Sequence, residues 1–129
     1  MHLGGVTPNR VDAAIGRLRP DVSHRTEICS IGTISGTTRG IELMKVRKHG
    51  RTSGYTEGEI TDDTYDALVG MDHNDRSIVA LFENQMRIDR IAPFTEFGLG
   101  GDSGSLVVKK DDQMAVGLYF AGPDSGVYG

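Results

Sequence analysis

Gly101-Asp102-Ser103-Gly104-Ser105-Leu106-Val107-Val108 decides how this chain is read. A serine on a glycine-flanked turn that feeds directly into an apolar strand is one way a protein exposes a nucleophilic hydroxyl. A serine attacks a carbonyl only when a base takes its proton and nearby donors hold the oxyanion that forms. Gly101 and Gly104 open backbone conformations closed to other residues, so the N–H groups of Gly101 and Ser103 can converge beside the hydroxyl. Gly, Asp and Ser are also the commonest turn formers. By itself the pentapeptide therefore reads either as a nucleophile turn or as a polar hairpin.

The flanks extend the pattern. Phe97-Gly98-Leu99-Gly100 precedes the turn, and Ala115-Val116-Gly117-Leu118-Tyr119-Phe120-Ala121-Gly122 supplies a second apolar strand after it. The whole stretch resembles the C-terminal barrel of the chymotrypsin-like (trypsin-like) serine peptidases, most of all their disulfide-poor microbial and plant branch. The resemblance implies that Ser103 is the nucleophile and that the Gly101 and Ser103 N–H groups form the oxyanion hole. It further implies that Tyr119 to Gly122 is the edge that pairs with substrate backbone. Phe97, six residues before the serine, would lie at the base of the primary specificity pocket, with Phe120, Ala121 and Gly122 along its wall. No acid stands at that base, so small or apolar side chains are expected in preference to Lys or Arg.

Two further segments carry the same resemblance. Lys45-Val46-Arg47-Lys48-His49-Gly50-Arg51-Thr52-Ser53-Gly54-Tyr55-Thr56-Glu57-Gly58-Glu59-Ile60 is similar to the K-x-G-R-T-[ST]-G-x-T-x-G-x-[IV] segment of that branch. There Gly50, Gly54 and Gly58 are expected to permit tight bends and the threonines to suit strand surfaces. Val11-Asp12-Ala13-Ala14-Ile15 places one acid in an apolar run, costly to bury unless a basic or hydrogen-bonding group faces it. Taken alone, Asp12 equally caps a short helix starting at Ala13. It also resembles the D-[LA]-A-[LIV] segment of the family, which implies a triad aspartate that orients a histidine and stabilises its imidazolium. Asp before Ser is the chymotrypsin-like order, whereas α/β-hydrolases place Ser first.

The family's general base, a histidine upstream of the aspartate in a T-A-[AG]-H-C-like segment, has no counterpart. Of His2, His24, His49 and His73, none has that context. His2 reads as an exposed terminal residue and the other three as solvated loop positions. Removing a triad member leaves only roughly 10³ to 10⁴ of rate over water, so the chain alone is expected to be nearly inert.

At 129 residues one domain with one core is expected. Eighteen glycines, 6% aromatics and no long 3.6-residue stripe argue for short strands and turns. Strands are expected near Thr26 to Ile34, Ile41 to Val46, Gly58 to Thr61, Ile78 to Ile88, Gly104 to Val108 and Met114 to Phe120. Thr64 to Met71 reads as a helical turn or loop, and Asp111-Asp112 as a hairpin tip. The expected fold class is all-β: a six-stranded antiparallel Greek-key barrel of trypsin-like type. Residues 1–25 would be a remnant of the first barrel carrying Asp12. Residues 26–129 would be the second barrel, incomplete at its C-terminal end, where Gly126-Val127-Tyr128-Gly129 reads as the start of another strand.

A net charge of -4 with dispersed Lys and Arg argues against nucleic acid as a partner. Lys45 to Arg51 reads as a solvated strand face. Asp62-Asp63 and Asp72 to Asp75 lack the spacing of an EF-hand loop, so solvated loops, no metal and no cofactor are expected. The single Cys29 excludes an internal disulfide and reads as a small buried thiol. No secretory apolar region and no run of 18 apolar residues is present, so no membrane partner is expected; the cytoplasm is the favoured location. The expected partners are a peptide or protein substrate, and either the missing first barrel or a second copy of the chain covering the apolar face that its loss would expose. Two functions stand: a serine endopeptidase acting through an acyl-enzyme on Ser103 but lacking its histidine, or a non-catalytic trypsin-like module for peptide binding or assembly.

Overall fold

The structure, a computed structural model, describes residues 8–70, 79–124 and 127–128. Among these residues every regular element is a strand. In chain order they are β1 (Glu27–Ile28), β2 (Gly32–Thr33), β3 (Gly36–Thr37), β4 (Lys45–Gly50), β5 (Gly54–Gly70), β6 (Val79–Arg90), β7 (Leu106–Lys109), β8 (Met114–Leu118), β9 (Pro123–Asp124) and β10 (Val127–Tyr128). Six of them form one sheet in the order β3-β8-β7-β4-β5-β6, while β1-β2 and β9-β10 are separate two-stranded pairs.

The sheet curls into a half-barrel of mixed direction. Four of its five contacts are antiparallel, but β3 runs parallel to β8, pairing Gly36 with Met114 and Thr37 with Ala115. An all-antiparallel sheet is therefore not what the chain forms. The curl comes from β5 and β6, whose register shifts between Ile60 and Asp62, between Asp62 and Tyr65, and between Tyr65 and Ala67. Each such bulge adds a residue on one strand and bends it. The parallel bridge of Asn9 to Phe82 lays the N-terminal segment along β6, where Asn9 N–H donates to the Leu81 carbonyl and Glu83 N–H to the Asn9 carbonyl, both at 2.9 Å.

The bulges explain one difference from the sequence. Thr64 to Gly70 is the second half of β5 rather than a helical turn or loop. Its acidic run obscures the alternation, which resumes with buried Val69 once the register has reset. Thr26 to Ile34 is likewise two short strands around a turn, because Ser30 takes φ +65° and the Ile31 N–H donates back to the Ile28 carbonyl at 3.0 Å. The strand expected from Ile41 starts only at Lys45. Cys29 lies exposed in the β1–β2 turn, not buried. Asp62 and Asp63 lie within β5 and are partly buried rather than in a solvated loop; Asp72 to Asp75 and His73 fall outside the described residues.

Two apolar clusters form the core. Val46, Ile60, Phe97 and Val107 form one cluster, with Met86, Ile88 and Tyr119 packed against it. Val69, Ala80 and Phe82 cluster at the far end of the β5–β6 pair under Phe120 and Ala121; the Phe82 and Phe120 ring centroids are 5.0 Å apart. Both clusters converge on the segments that flank Ser103.

Candidate functional site

Ser103 stands exposed on the turn between Leu99 and Ser105. The turn is closed by Asp102 N–H donating to the Leu99 carbonyl and Ser105 N–H to the Asp102 carbonyl, each at 3.0 Å. Ser105 Oγ donates to that same Asp102 carbonyl at 2.5 Å. Gly101 at φ +100° and Gly104 at φ +92° supply the left-handed conformations this path requires, as only glycine does without strain. Gly104 N–H donates to the Tyr119 carbonyl at 2.7 Å and Tyr119 N–H to the Ser105 carbonyl at 2.9 Å, tying the turn to the chain beyond β8. Ser103 Oγ donates to the Phe120 carbonyl at 3.3 Å. Among the described residues the N–H groups of Gly101 and Ser103 have no hydrogen-bond acceptor.

Asp102 fixes the turn from beneath. It is 1% exposed, and its carboxylate is saturated by donors from two chain segments. Oδ1 accepts the Thr52 N–H at 2.7 Å and the Ser53 N–H at 3.1 Å; Oδ2 accepts Ser53 Oγ–H at 2.5 Å and the Leu99 N–H at 2.8 Å. Lys48, also wholly buried, brings its ammonium to 3.5 Å from Oδ2 while donating to Ser53 Oγ at 2.7 Å. Burial acts to raise the Asp102 pKa, but the donors from Ser53, Leu99 and Thr52 outweigh it and hold the carboxyl well below the usual carboxylate range. Burial pulls the Lys48 ammonium below its ordinary value, opposed by the charge and hydrogen bonding of Asp102.

Lys48 therefore does not lie on a solvated strand face. In β4 the buried positions alternate as Val46, Lys48 and Gly50, so period 2 carries the lysine inward with its apolar neighbours. That alternation was visible in the sequence. His49 points to the other face, in a strand rather than a solvated loop, and its Nδ1 is buried without a hydrogen-bond partner. Gly50 and Gly58 serve close approach rather than bends: a Cβ on Gly50 would overlap the Asp102 carboxylate, and one on Gly58 would lie 2.8 Å from Phe97. Gly54, at φ +66°, is the bend.

Phe97, Phe120, Ala121 and Gly122 line one cavity of about 350 Å³, together with Met86, Ile88, Val107 and Tyr119 and with Glu96, Arg87 and Arg90 among its polar groups. Its volume falls in the range of small-ligand sites. The Phe97 carbonyl is held by Thr56 Oγ–H at 2.5 Å. Asp12 lies on an exposed, non-helical segment with no hydrogen-bond or ionic partner among the described residues, so it caps no helix. It lines a second, open cavity of about 560 Å³ that also reaches Arg39, Asp63 and Phe120. The Ser103 and Asp12 segments thus meet at Phe120, one through a hydrogen bond and the other across a groove. Of the described histidines, neither His24 nor His49 hydrogen-bonds Ser103 or Asp12.

Elsewhere, carboxylate oxygens of Glu42, Asp62 and Asp63 lie within 4.8 Å of one another. They are the oxygen ligands a hard cation takes. Asp63 already accepts the Glu42 N–H at 3.1 Å and Asp62 the Thr64 N–H at 2.9 Å. No helix among the described residues is long and apolar enough to cross a membrane. In comparisons with known proteins, no protein-family model and no curated protein matches the chain.

Proposed function

We propose that this chain carries the nucleophile half of a serine endopeptidase with a trypsin-like Greek-key barrel. Ser103 would attack a peptide carbonyl, the N–H groups of Gly101 and Ser103 would hold the oxyanion, and Asp12 would orient a histidine supplied from outside the described residues. The observation that carries this reading is the Ser103 turn. An exposed hydroxyl sits on a turn whose Gly101 and Ser103 N–H groups are unengaged among the described residues, on a path held by the buried Asp102 carboxylate. Donors fixed before reaction, and not spent on the protein itself, are what oxyanion stabilisation needs.

In the acylation step the base takes the Ser103 proton as Oγ bonds to the carbonyl carbon; the tetrahedral intermediate collapses as the amine leaves with a proton from the same base, and water later releases the acyl group. The Ser103 hydroxyl would have to leave the Phe120 carbonyl to reach that base. A non-catalytic peptide-binding module is the second reading, favoured by one observation: Ser103 Oγ is engaged with the Phe120 carbonyl and with no histidine among the described residues.

A fluorophosphonate probe separates the two. Labelling of Ser103 in the native full-length protein, lost on Ser103→Ala, is the expected result. A folded native protein with no labelling overturns the peptidase reading and leaves the binding module.

A further inference from the structure

We propose that Tyr119 sets the size limit of the site and restricts the peptide side chain presented beside Ser103 to Gly, Ala or Ser. This rests on the peptidase reading above and names its substrate class. The Tyr119 ring lies between the backbones of Gly98 and Gly122. A Cβ built on Gly98 would stand 2.5 Å from Tyr119 Cζ, and one on Gly122 would overlap the Tyr119 hydroxyl. Neither glycine takes a left-handed φ, so the ring, not the backbone conformation, excludes a larger residue at both. The ring also meets Phe97 edge-on, with centroids 6.3 Å apart.

Tyr119 is part of the wall rather than a swinging gate. Both of its backbone groups are hydrogen-bonded to the Ser103 turn, at Gly104 and Ser105, so the base of the side chain moves only with that turn. Phe97, Gly98, Tyr119 and Gly122 all line the 350 Å³ cavity, and Ser103 Oγ bonds to Phe120, the residue after the tyrosine. The phenol thus takes up the space between Gly98 and Gly122 in the cavity that Phe120, the hydrogen-bond partner of Ser103, also lines. On this proposal a methyl or hydroxymethyl group fits beside the ring, and a branched or aromatic one competes with it.

The test is an NMR titration of the isotope-labelled full chain with acetyl-Ala-Ala-Ala and acetyl-Ala-Ala-Phe, followed at the amides of Gly101, Ser103, Ala121 and Gly122. Wild type and Tyr119→Phe, which keeps the ring, should bind the Ala-ended peptide about tenfold more tightly than the Phe-ended one, the scale on which pocket size discriminates. Tyr119→Ala should reverse the order; if that variant loses its dispersed spectrum, Tyr119→Leu is read in its place. Equal or tighter binding of the Phe-ended peptide by wild type overturns the proposal. So does an unchanged preference in a well-folded Tyr119→Ala. If neither peptide moves these amides in any folded variant, the peptide-site reading itself fails and the size limit falls with it.

Discussion

Lys48 and Asp102 form an ion pair at 3.5 Å with neither side chain exposed to solvent, and the pair lies directly under the turn that presents Ser103. A buried pair is not by itself a source of stability, because desolvating two charges offsets their attraction; breaking one, however, leaves an uncompensated charge and costs about 3–5 kcal/mol. The two halves are unequal here. Lys48→Met leaves Asp102 its four hydrogen-bond donors and should fall near the lower end of that range. Asp102→Asn sets an amide N–H₂ against the Leu99 N–H and strands Lys48, so it should cost more. Urea denaturation of both variants measures the order, and a smaller loss for Asp102→Asn would contradict this account of the turn.

The same carboxylate predicts acid lability. Its pKa is depressed in the folded state relative to about 3.9 for an unfolded aspartate. The unfolded state therefore binds the proton first as pH falls. The stabilisation is complete above the unfolded value and is lost progressively as pH drops below about 4 toward the folded pKa. Urea midpoints taken from neutral pH down to about pH 3 should fall across that window, and Asp102→Asn should flatten the slope. An identical acid slope in the variant would assign the effect to other carboxylates.

Paired glycine substitutions test the packing around this carboxylate. A Cβ on Gly50 would overlap Asp102, whereas one on Gly100, a turn glycine of ordinary φ, meets nothing within 4 Å. Gly50→Ala is expected to cost about 1–3 kcal/mol, as overpacking does, and Gly100→Ala to stay within roughly 0.5 kcal/mol of wild type. Thermal unfolding compares them directly; equal shifts would mean that the Gly50–Asp102 contact relaxes freely.

The Ser103 turn was legible because its signal is local: two glycines in left-handed conformations around an Asp-Ser pair, next to an apolar strand. The all-β class was legible for a similar reason, since eighteen glycines punctuate short apolar runs. Lys48 was missed because a charged residue in a basic run reads as solvated, and only the alternation with Val46 and Gly50, joined to the need of Asp102 for a counter-charge, reveals it. The second half of β5 was missed because three register shifts break the period-2 pattern that identifies a strand. The antiparallel contacts were legible, four of the five in the sheet, but the fifth was not: the parallel β3–β8 pairing depends on the β1–β2 hairpin and on Gln113, whose side-chain amide donates to the Ile31 carbonyl at 2.7 Å, a contact spanning 82 residues.

Self-association is the last expectation. Every residue from Arg10 to Glu27 is exposed, including Val11 at 75%, Ile15 at 102% and Leu18 at 54%, so the segment offers apolar side chains to solvent with only partial intramolecular cover. Isolated apolar residues on a surface are ordinary, but a run of them along one exposed segment is a contact surface in search of a partner. A second copy is always at hand in a concentrated solution. Sedimentation velocity should show mass rising with concentration, and Ile15→Asp with Leu18→Asp should return the chain toward monomer. Because the contact is apolar, added sulfate should strengthen it, whereas an association held by the arginines of this segment would weaken as salt screens it. A wild-type chain that stays monomeric at high concentration would leave these side chains solvated and remove the reason to expect a partner at this segment.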